Sequence, residues 1–263
     1  MALLHMTFAS DVLMQNVDVD VILPEDTPGL IGMGGKASDT YPTLYLLHGM
    51  SDDHTIWQRR TSIERYVSDL NLAVVMPSID LSWYTDMYYG YKYWTFMTEE
   101  LPRTMRAFFP RMSDKREDTF VAGLSMGGYG ALKCGLRAPE VFSYAAGLSS
   151  GTDPEALIKE AELGDDTYWT DVFGPANKFP KSFNDLFAAC KDLKKNKKHK
   201  VRFYMWCGTE DFLYKQNIKM RDHMKKVGLD LTYEESPGDH SWAHWDEKIQ
   251  TILEWLPLKK EVE

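Results

Sequence analysis

Ser125 lies in Gly123-Leu124-Ser125-Met126-Gly127, with one residue between the serine and each glycine. This G-x-S-x-G pattern builds a sharp strand-to-helix turn in which the serine backbone is strained and its neighbours must be small. The turn lifts the hydroxyl clear of the strand and aims the N-terminus of the next helix at it. The pattern is weak alone, because glycine and serine are common. Its surroundings carry the reading. An apolar run, Thr119-Phe120-Val121-Ala122, precedes it, and Gly127-Gly128-Tyr129-Gly130-Ala131-Leu132 follows as a helix start. We therefore read Ser125 as a nucleophile rather than as part of an ordinary glycine turn.

A serine hydroxyl is a poor nucleophile at neutral pH. It needs a base, and the base needs an acid to orient it. In chains built on this turn the order is serine, then Asp or Glu, then His. The apolar run Val201 to Trp206 ends in Cys207-Gly208-Thr209-Glu210-Asp211, which puts two carboxylates just past a strand end. The segment Glu235-Ser236-Pro237-Gly238-Asp239-His240-Ser241-Trp242 puts a histidine in a loop before the last helix. Asp211 is assigned as the acid and His240 as the base, with Glu210 and His244 as the alternatives. A surface carboxylate and a capping loop are the competing readings, but order and position together favour a triad. A developing oxyanion also needs two donors. One is the N–H of Met126. The other is the N–H of Met50, in His48-Gly49-Met50-Ser51 after the run Thr43 to Leu47. The His48 side chain is read as a structural hydrogen-bonding group.

These groups need a scaffold that converges on one edge. Five runs are apolar on both faces: Thr43–Leu47, Leu72–Met76, Thr119–Ala122, Tyr144–Leu148 and Val201–Trp206. Such runs suit the middle of a parallel sheet covered by helices. Val17-Asp18-Val19-Asp20-Val21 alternates, which predicts a half-exposed strand in an antiparallel hairpin at one sheet edge. Pro24 to Tyr41 holds Gly29, Gly32, Gly34 and Gly35 and reads as a loop. Trp94, Met97, Leu101, Met105 and Phe108 recur at helical spacing, and Pro102 among them implies a kink or a second helix start. Helices are also predicted over Gly127–Ala138, stopped by Pro139, over Asn217–Val227, ended by Gly228, and at the C-terminus on Ile249, Ile252, Leu253 and Leu256. Strands alternating with helices predict a doubly wound α/β sheet in a single domain, 1–263. Residues 151–195 read as a cap-like insertion within it.

Composition narrows the function classes. The chain has 263 residues, a hydrophobic fraction of 44% and a charged fraction of 26%, ordinary for a globular protein. Its net charge of −9 argues against a nucleic-acid partner, since phosphate binding runs on Lys and Arg. The basic run Lys194 to Lys200 reads as a solvated turn. Cys134, Cys190 and Cys207 are odd in number and irregularly spaced, so no disulfide framework is expected. No CxxC or HExxH motif occurs, so neither a metal nor a cofactor is expected. No run is long enough to span a membrane. The first residues lack a basic start and a long apolar region, so no signal peptide is expected, and a cytoplasmic protein is inferred.

Taken together, these motifs resemble the esterase D-like branch of the α/β hydrolases, and within it the tributyrin esterase type. The shared residues are His48-Gly49-Met50-Ser51, Trp57, Trp83-Tyr84-Thr85-Asp86, Tyr93-Trp94, Glu99-Glu100-Leu101-Pro102, Gly123 to Gly128, Gly208-Thr209-Glu210-Asp211-Phe212-Leu213 and His240-Ser241-Trp242-Ala243-His244-Trp245. They span nearly the whole chain. The resemblance implies an α/β-hydrolase fold, with a mostly parallel central sheet and helices on both faces. It implies a Ser125–His240–Asp211 triad, His240 being the first histidine of its H-x-W pattern. It also implies a serine carboxylesterase that forms an acyl-enzyme, acting on short acyl esters in acylated carbohydrates of the acetyl or feruloyl type. Relatives include S-formylglutathione hydrolases and mycolyltransferases, so a thioesterase or acyltransferase is the alternative, and an inactive binding module a more distant one. Position 124 is Leu where S-formylglutathione hydrolases commonly carry His, and no cysteine stands near Met50, which weighs against a glutathione thioester. Trp57, Trp83 and Trp94 are the candidate substrate-binding rings, stacking on a sugar or cinnamoyl ring, although most aromatics in Trp83 to Phe96 read as packing. The partner expected is a small-molecule or oligosaccharide ester, and a homo-oligomer is left open.

Overall fold

Leu44 and Leu46 face one side of strand β3 (Thr43–Leu47), Tyr45 and Leu47 the other, and all four are buried. Alternate side chains of a strand point to opposite faces, so such a strand must lie between two layers. The computed structural model, which describes residues 1–27, 38–164 and 167–258, has those two layers. On one face Ile56, Trp57, Ile63 and Val67 join Trp245, Ile249, Ile252 and Leu253 of the last helix (Trp242–Trp255) against Leu44, Leu46, Val74, Phe120 and Ala122. On the other face the helices Leu101–Phe108, Met126–Arg137, Leu186–Lys195 and Tyr214–Val227 cover Tyr45, Leu47, Val75 and Val121.

The sheet between them has eight strands. The remaining strands are β1 (Ala2–Ser10), β2 (Gln15–Leu23), β4 (Ala73–Pro77), β5 (Thr119–Leu124), β6 (Tyr144–Leu148), β7 (Arg202–Gly208) and β8 (Asp230–Ser236), in spatial order β1-β2-β4-β3-β5-β6-β7-β8. The hairpin β1–β2 is antiparallel, as is β2 on β4, and every other pairing is parallel. Register decides where the site can form. Gly123 of β5 lies opposite Leu47 of β3 and Gly147 of β6, Leu148 opposite Trp206, and Gly208 opposite Ser236. The loops after β3, β5, β6, β7 and β8 therefore open on one edge, and each carries a residue of interest.

The expected mostly parallel sheet with helices on both faces is observed, with some differences in detail. Strand β2 forms the expected antiparallel edge hairpin with β1 and alternates at its start, where Val17 and Val19 are buried and Asp18 exposed, but Asp20 is fully buried, bonded by the Gln58 amide at 2.7 Å and by His5 Nδ1 at 2.7 Å. Strand β1 is the partner the hairpin requires, and β8, with alternating polar and half-buried residues, has no counterpart in the sequence reading. Near Pro102 the chain forms a helical turn (Tyr93–Thr95), then a π-turn (Phe96–Glu100), then a new helix with proline in its first turn, where a missing N–H is harmless. Phe108 at its end is exposed. Gly228 closes its helix in the left-handed region, φ 78° and ψ 43°. The glycine-rich stretch 28–37 lies outside the described residues. Within 151–195 are helices Glu155–Ala161, Tyr168–Phe173 and Leu186–Lys195. The last buries Leu186, Ala189, Cys190 and Leu193, which makes it part of a sheet-covering layer rather than of a cap.

Lys133, on the elbow helix Met126–Arg137, is wholly buried. Its ammonium donates to the Tyr84 carbonyl at 3.2 Å and to Asn184 Oδ1 at 2.7 Å, and lies 4.7 Å from the Trp94 ring centre. It thereby ties together the helix, the loop at Trp83 and Tyr84, where φ is 52° and 53°, and the segment after Lys181. Burial pushes its pKa down to about 7, against the pull of neighbouring Cys134 and Asp86. That value lies below the ~10.4 of an unfolded lysine, so between the two the unfolded chain binds the extra proton and stability rises with pH. Urea titrations from roughly pH 7 to 9.5 should show Lys133 adding up to about 1.4 kcal/mol of stability per pH unit. Lys133→Met should lose that slope, and parallel profiles for the two proteins would refute the claim.

Candidate active site

At the turn between β5 and its helix, backbone comes against backbone. A Cβ on Gly123 would meet the Gly127 carbonyl oxygen at 2.4 Å, and one on Gly127 would meet the carbonyl oxygens of Leu47 and His48 at 2.5 Å. No side chain fits, which is why glycine flanks the serine at this spacing. Ser125 itself has φ 54° and ψ −116°, a strained backbone of the kind that surroundings must enforce. Its N–H donates to Leu148 O at 2.9 Å, and its carbonyl accepts from Tyr129 N–H at 3.0 Å and Gly151 N–H at 3.1 Å.

The structure brings Ser125, His240 and Asp211 together. His240 Nε2 lies 3.1 Å from Ser125 Oγ, and its Nδ1 lies 2.8 Å from Asp211 Oδ2. The other carboxylate oxygen, Oδ1, accepts the Leu213 N–H at 2.8 Å. Asp211 is buried. Burial is the largest influence on it and pushes its pKa up, but hydrogen bonds from His240, the Leu213 N–H and Ser149 outweigh that and hold it below the ordinary carboxylate range. It stays an anion beside the imidazole. Glu210 does different work: it accepts the Gly238 N–H while its own N–H donates to Gly238 O at 3.0 Å, clamping the loop that leads to His240. His244 sits 3.5 Å from Asp239, away from the relay.

Gly49 and Met50 come up beside the serine: a Cβ on Gly49 would stand 3.6 Å from Ser125 Cβ. The Met126 N–H opens the elbow helix and has no helical acceptor. The loop after β3 and the start of the elbow helix thus both border Ser125. His48 is buried, its Nδ1 bonded to Gly49 O at 2.8 Å and its Nε2 accepting Ile79 N–H at 3.1 Å. Burial lowers its pKa. With both nitrogens engaged by backbone it is a neutral brace for the loop, and Tyr84 Oη adds a bond to the His48 carbonyl at 2.9 Å.

The three candidate stacking rings fare differently from expectation. Trp57 is buried under the sheet, its Nε1–H given to Leu47 O at 3.0 Å. Trp94 is packed on Lys133 and Phe183. Neither offers a free face, so the expectation that they bind substrate is corrected. Trp83 is also buried: its ring lies on Gly151, where a Cβ would meet it at 2.8 Å, among Tyr129, Trp169 and Phe173. Among the described residues, no three His, Cys, Asp or Glu side chains are grouped to hold a metal ion, and no helix is long and apolar enough to cross a membrane.

Some contributors were not visible in the sequence. Ser149 follows β6 with φ 46°, accepts the Trp245 Nε1–H at 3.1 Å, and lies by the Asp211 carboxylate, where its hydroxyl helps to hold the carboxylate ionised. Trp245 in turn meets the His240 ring edge-on, with centroids 4.8 Å apart. The Ser149-Ser150-Gly151 string was the only signal, and it does not say which side chain its serine would face.

This sheet order and this strained serine define an α/β-hydrolase. A family model described as a putative esterase matches residues 10–256, and the chain belongs to that esterase family. It is a serine esterase, a carboxylic ester hydrolase. It is 35% identical to an acetyl esterase of Caldicellulosiruptor saccharolyticus over 97% of this chain and 98% of that one. Its fold matches the fluorophosphonate-binding serine hydrolase F of Staphylococcus aureus, solved with substrate bound, at a TM-score of 0.86 and 32% identity, over 97% of this chain and 98% of that one. It also matches an S-formylglutathione hydrolase of Staphylococcus aureus at a TM-score of 0.83 and 32% identity, with the same coverage.

Ser149 gives a direct test of how the carboxylate is held. A hydrogen bond to a charged group is worth about 1.5–3 kcal/mol, so Ser149→Ala should lower kcat for p-nitrophenyl acetate about tenfold. With one donor fewer, the Asp211 carboxylate holds the imidazolium proton more tightly, and the acid limb of kcat/KM should move to higher pH. An unmoved limb together with parental kcat would show that Ser149 does not act on Asp211.

Proposed function

We propose that this esterase hydrolyses short-chain acyl esters, with acylated carbohydrates as its natural substrates, through an acyl-enzyme on Ser125. The observation that carries this is the Asp211–His240–Ser125 relay, 2.8 and 3.1 Å, standing on the elbow. In this reading His240 Nε2 takes the Ser125 proton as Oγ attacks the ester carbonyl, and Asp211 fixes the tautomer and stabilises the imidazolium that forms. The oxyanion rests on the N–H groups of Met50 and Met126. The alcohol leaves with the proton from His240, and water repeats the sequence to release the acid.

Short acyl groups are favoured by the likeness to an acetyl esterase, which covers almost the whole chain. A thioester substrate is the second reading, favoured by the S-formylglutathione hydrolase neighbour. Against it stand Leu124 and the absence of a cysteine beside Met50.

Ser125→Ala should lower kcat by about 10⁴ to 10⁶ while circular dichroism stays parental. Turnover within tenfold of the parent in a clean preparation would sink the assignment. Asp211→Asn and His240→Ala should be severely impaired. Glu210→Gln and His244→Ala should be much milder, and a reversal within the carboxylate pair would reassign the acid.

Acyl length is read by a p-nitrophenyl ester series followed by acetylated xylo-oligosaccharides and methyl ferulate. Each methylene in an apolar pocket is worth ~1–3 kcal/mol, so kcat/KM should climb through acetyl to about butyryl and then fall. A maximum at roughly eight carbons or more would defeat the short-acyl reading. Faster turnover of S-formylglutathione than of any oxygen ester would favour the thioesterase.

A further inference from the structure

His240 lies between two rings of opposite standing. Trp245 is 5% exposed and meets it edge-on from the protein side. Phe212 is 74% exposed, with its ring centre 4.5 Å from that of His240 at 50°. Phe212 is placed by the turn that holds the acid, since Asp211 precedes it and Leu213 gives its N–H to Asp211 Oδ1. Single exposed apolar side chains are common on protein surfaces. This one differs in its position, against the group that must hand a proton to the departing half of the ester.

We infer that Phe212 is the platform for the alcohol half of the substrate and receives the C–H face of a sugar ring. The inference rests on the esterase reading above. In acylation, Ser125 Oγ forms a bond to the carbonyl carbon as its proton passes to His240 Nε2. The tetrahedral centre then collapses, the carbon–oxygen bond to the alcohol breaks with its electron pair going to that oxygen, and the oxygen takes the proton from Nε2. The leaving oxygen must therefore come within about 2.6–3.2 Å of Nε2. Its carbon skeleton is thereby held at the His240 flank, while the acyl carbon stays on Ser125. The exposed ring on that flank is Phe212. A pyranose suits it: its axial C–H bonds give one face an apolar strip, and its hydroxyls keep their water because the platform is open. The rings singled out from sequence cannot do this, because Trp57, Trp83 and Trp94 are buried.

The competing role is a shield, with Phe212 keeping water off the His240–Asp211 hydrogen bond. A shield would act on every ester alike, whereas a platform acts only on alcohols with a ring to stack. Methyl acetate, cyclohexyl acetate and acetylated xylo-oligosaccharides all acetylate Ser125, so their kcat/KM ratios isolate the alcohol. In Phe212→Ala the ratio of each ring alcohol to methyl acetate should fall about fivefold, about 1 kcal/mol, and Phe212→Tyr should restore it. Phe212 is exposed, so the fold should survive, and circular dichroism checks it. A ratio within twofold of parental for cyclohexyl acetate overturns the platform, and so does an equal loss on all three esters with a displaced pH profile. If the parent enzyme cleaves cyclohexyl acetate with the expected ratio change but leaves the acetylated oligosaccharides untouched, the platform stands and the sugar is overturned, along with the carbohydrate part of the proposed function. If the parent enzyme cleaves none of the three, the esterase reading itself falls.

Discussion

The carbonyl oxygens of Leu47 and His48 come so near Gly127 that one added methyl group would meet them at 2.5 Å. That contact between two backbones sets the rest of the site. It brings the start of the elbow helix under the end of β3, so the loop His48–Ser51 and the N–H of Met126 arrive at the same point. Gly123 is pressed by the Gly127 carbonyl from within the turn. Two glycines are thus required by packing, and the serine between them is forced to a positive φ, where its side chain stands above the sheet edge. The local strain, of order 1–3 kcal/mol, is held by three backbone hydrogen bonds from β6, Gly151 and the elbow helix.

The two histidines near the serine show how surroundings divide the roles of one residue type. His48 has backbone partners on both nitrogens and is buried, which favours its neutral form and leaves no nitrogen free for a proton. His240 has one nitrogen on a carboxylate and the other on the serine hydroxyl. Asp211 remains ionised inside the protein because donated hydrogen bonds outweigh the penalty of burial. Ser149 supplies one of those bonds and is itself aligned by Trp245, which also packs on His240. Asp211, His240, Ser149 and Trp245 form one connected cluster anchored in the last helix.

Much of this was legible in the sequence because the requirements are local. Gly123, Ser125 and Gly127 announce their turn by spacing within five residues, even though the crowding that demands Gly127 comes from Leu47 and His48. Asp211 follows a strand by few residues, and strands apolar on both faces announce a covered sheet. The polar edge strand β8 gave no such signal, since its charged, alternating sequence fits a surface loop equally well. The rings were the least legible. Trp57, Trp83, Trp94 and Phe212 are alike as amino acids, and what separates them is burial by residues distant in the chain: Leu47, Gly151, Lys133 and, for Phe212, very little. Ser149 illustrates the same limit, because its partners Asp211 and Trp245 meet it only through the parallel register of β6 and β7.

Leu124 carries the last step. It precedes the serine and is buried, and its Cδ1 lies so close under Gly49 that a Cβ there would come within 2.7 Å. The loop after β3 therefore rests on an apolar side chain supplied by the turn that holds Ser125. A polar ring at this position would need a hydrogen-bond partner inside the packed layer or would carry a desolvation penalty of about 1–3 kcal/mol. The residue before the serine and the conformation of the loop holding Met50 are thus coupled, and a change at one requires a compensating change at the other. That coupling makes the side chain before the serine and the loop after β3 one packed unit, so neither can change in bulk or polarity without the other.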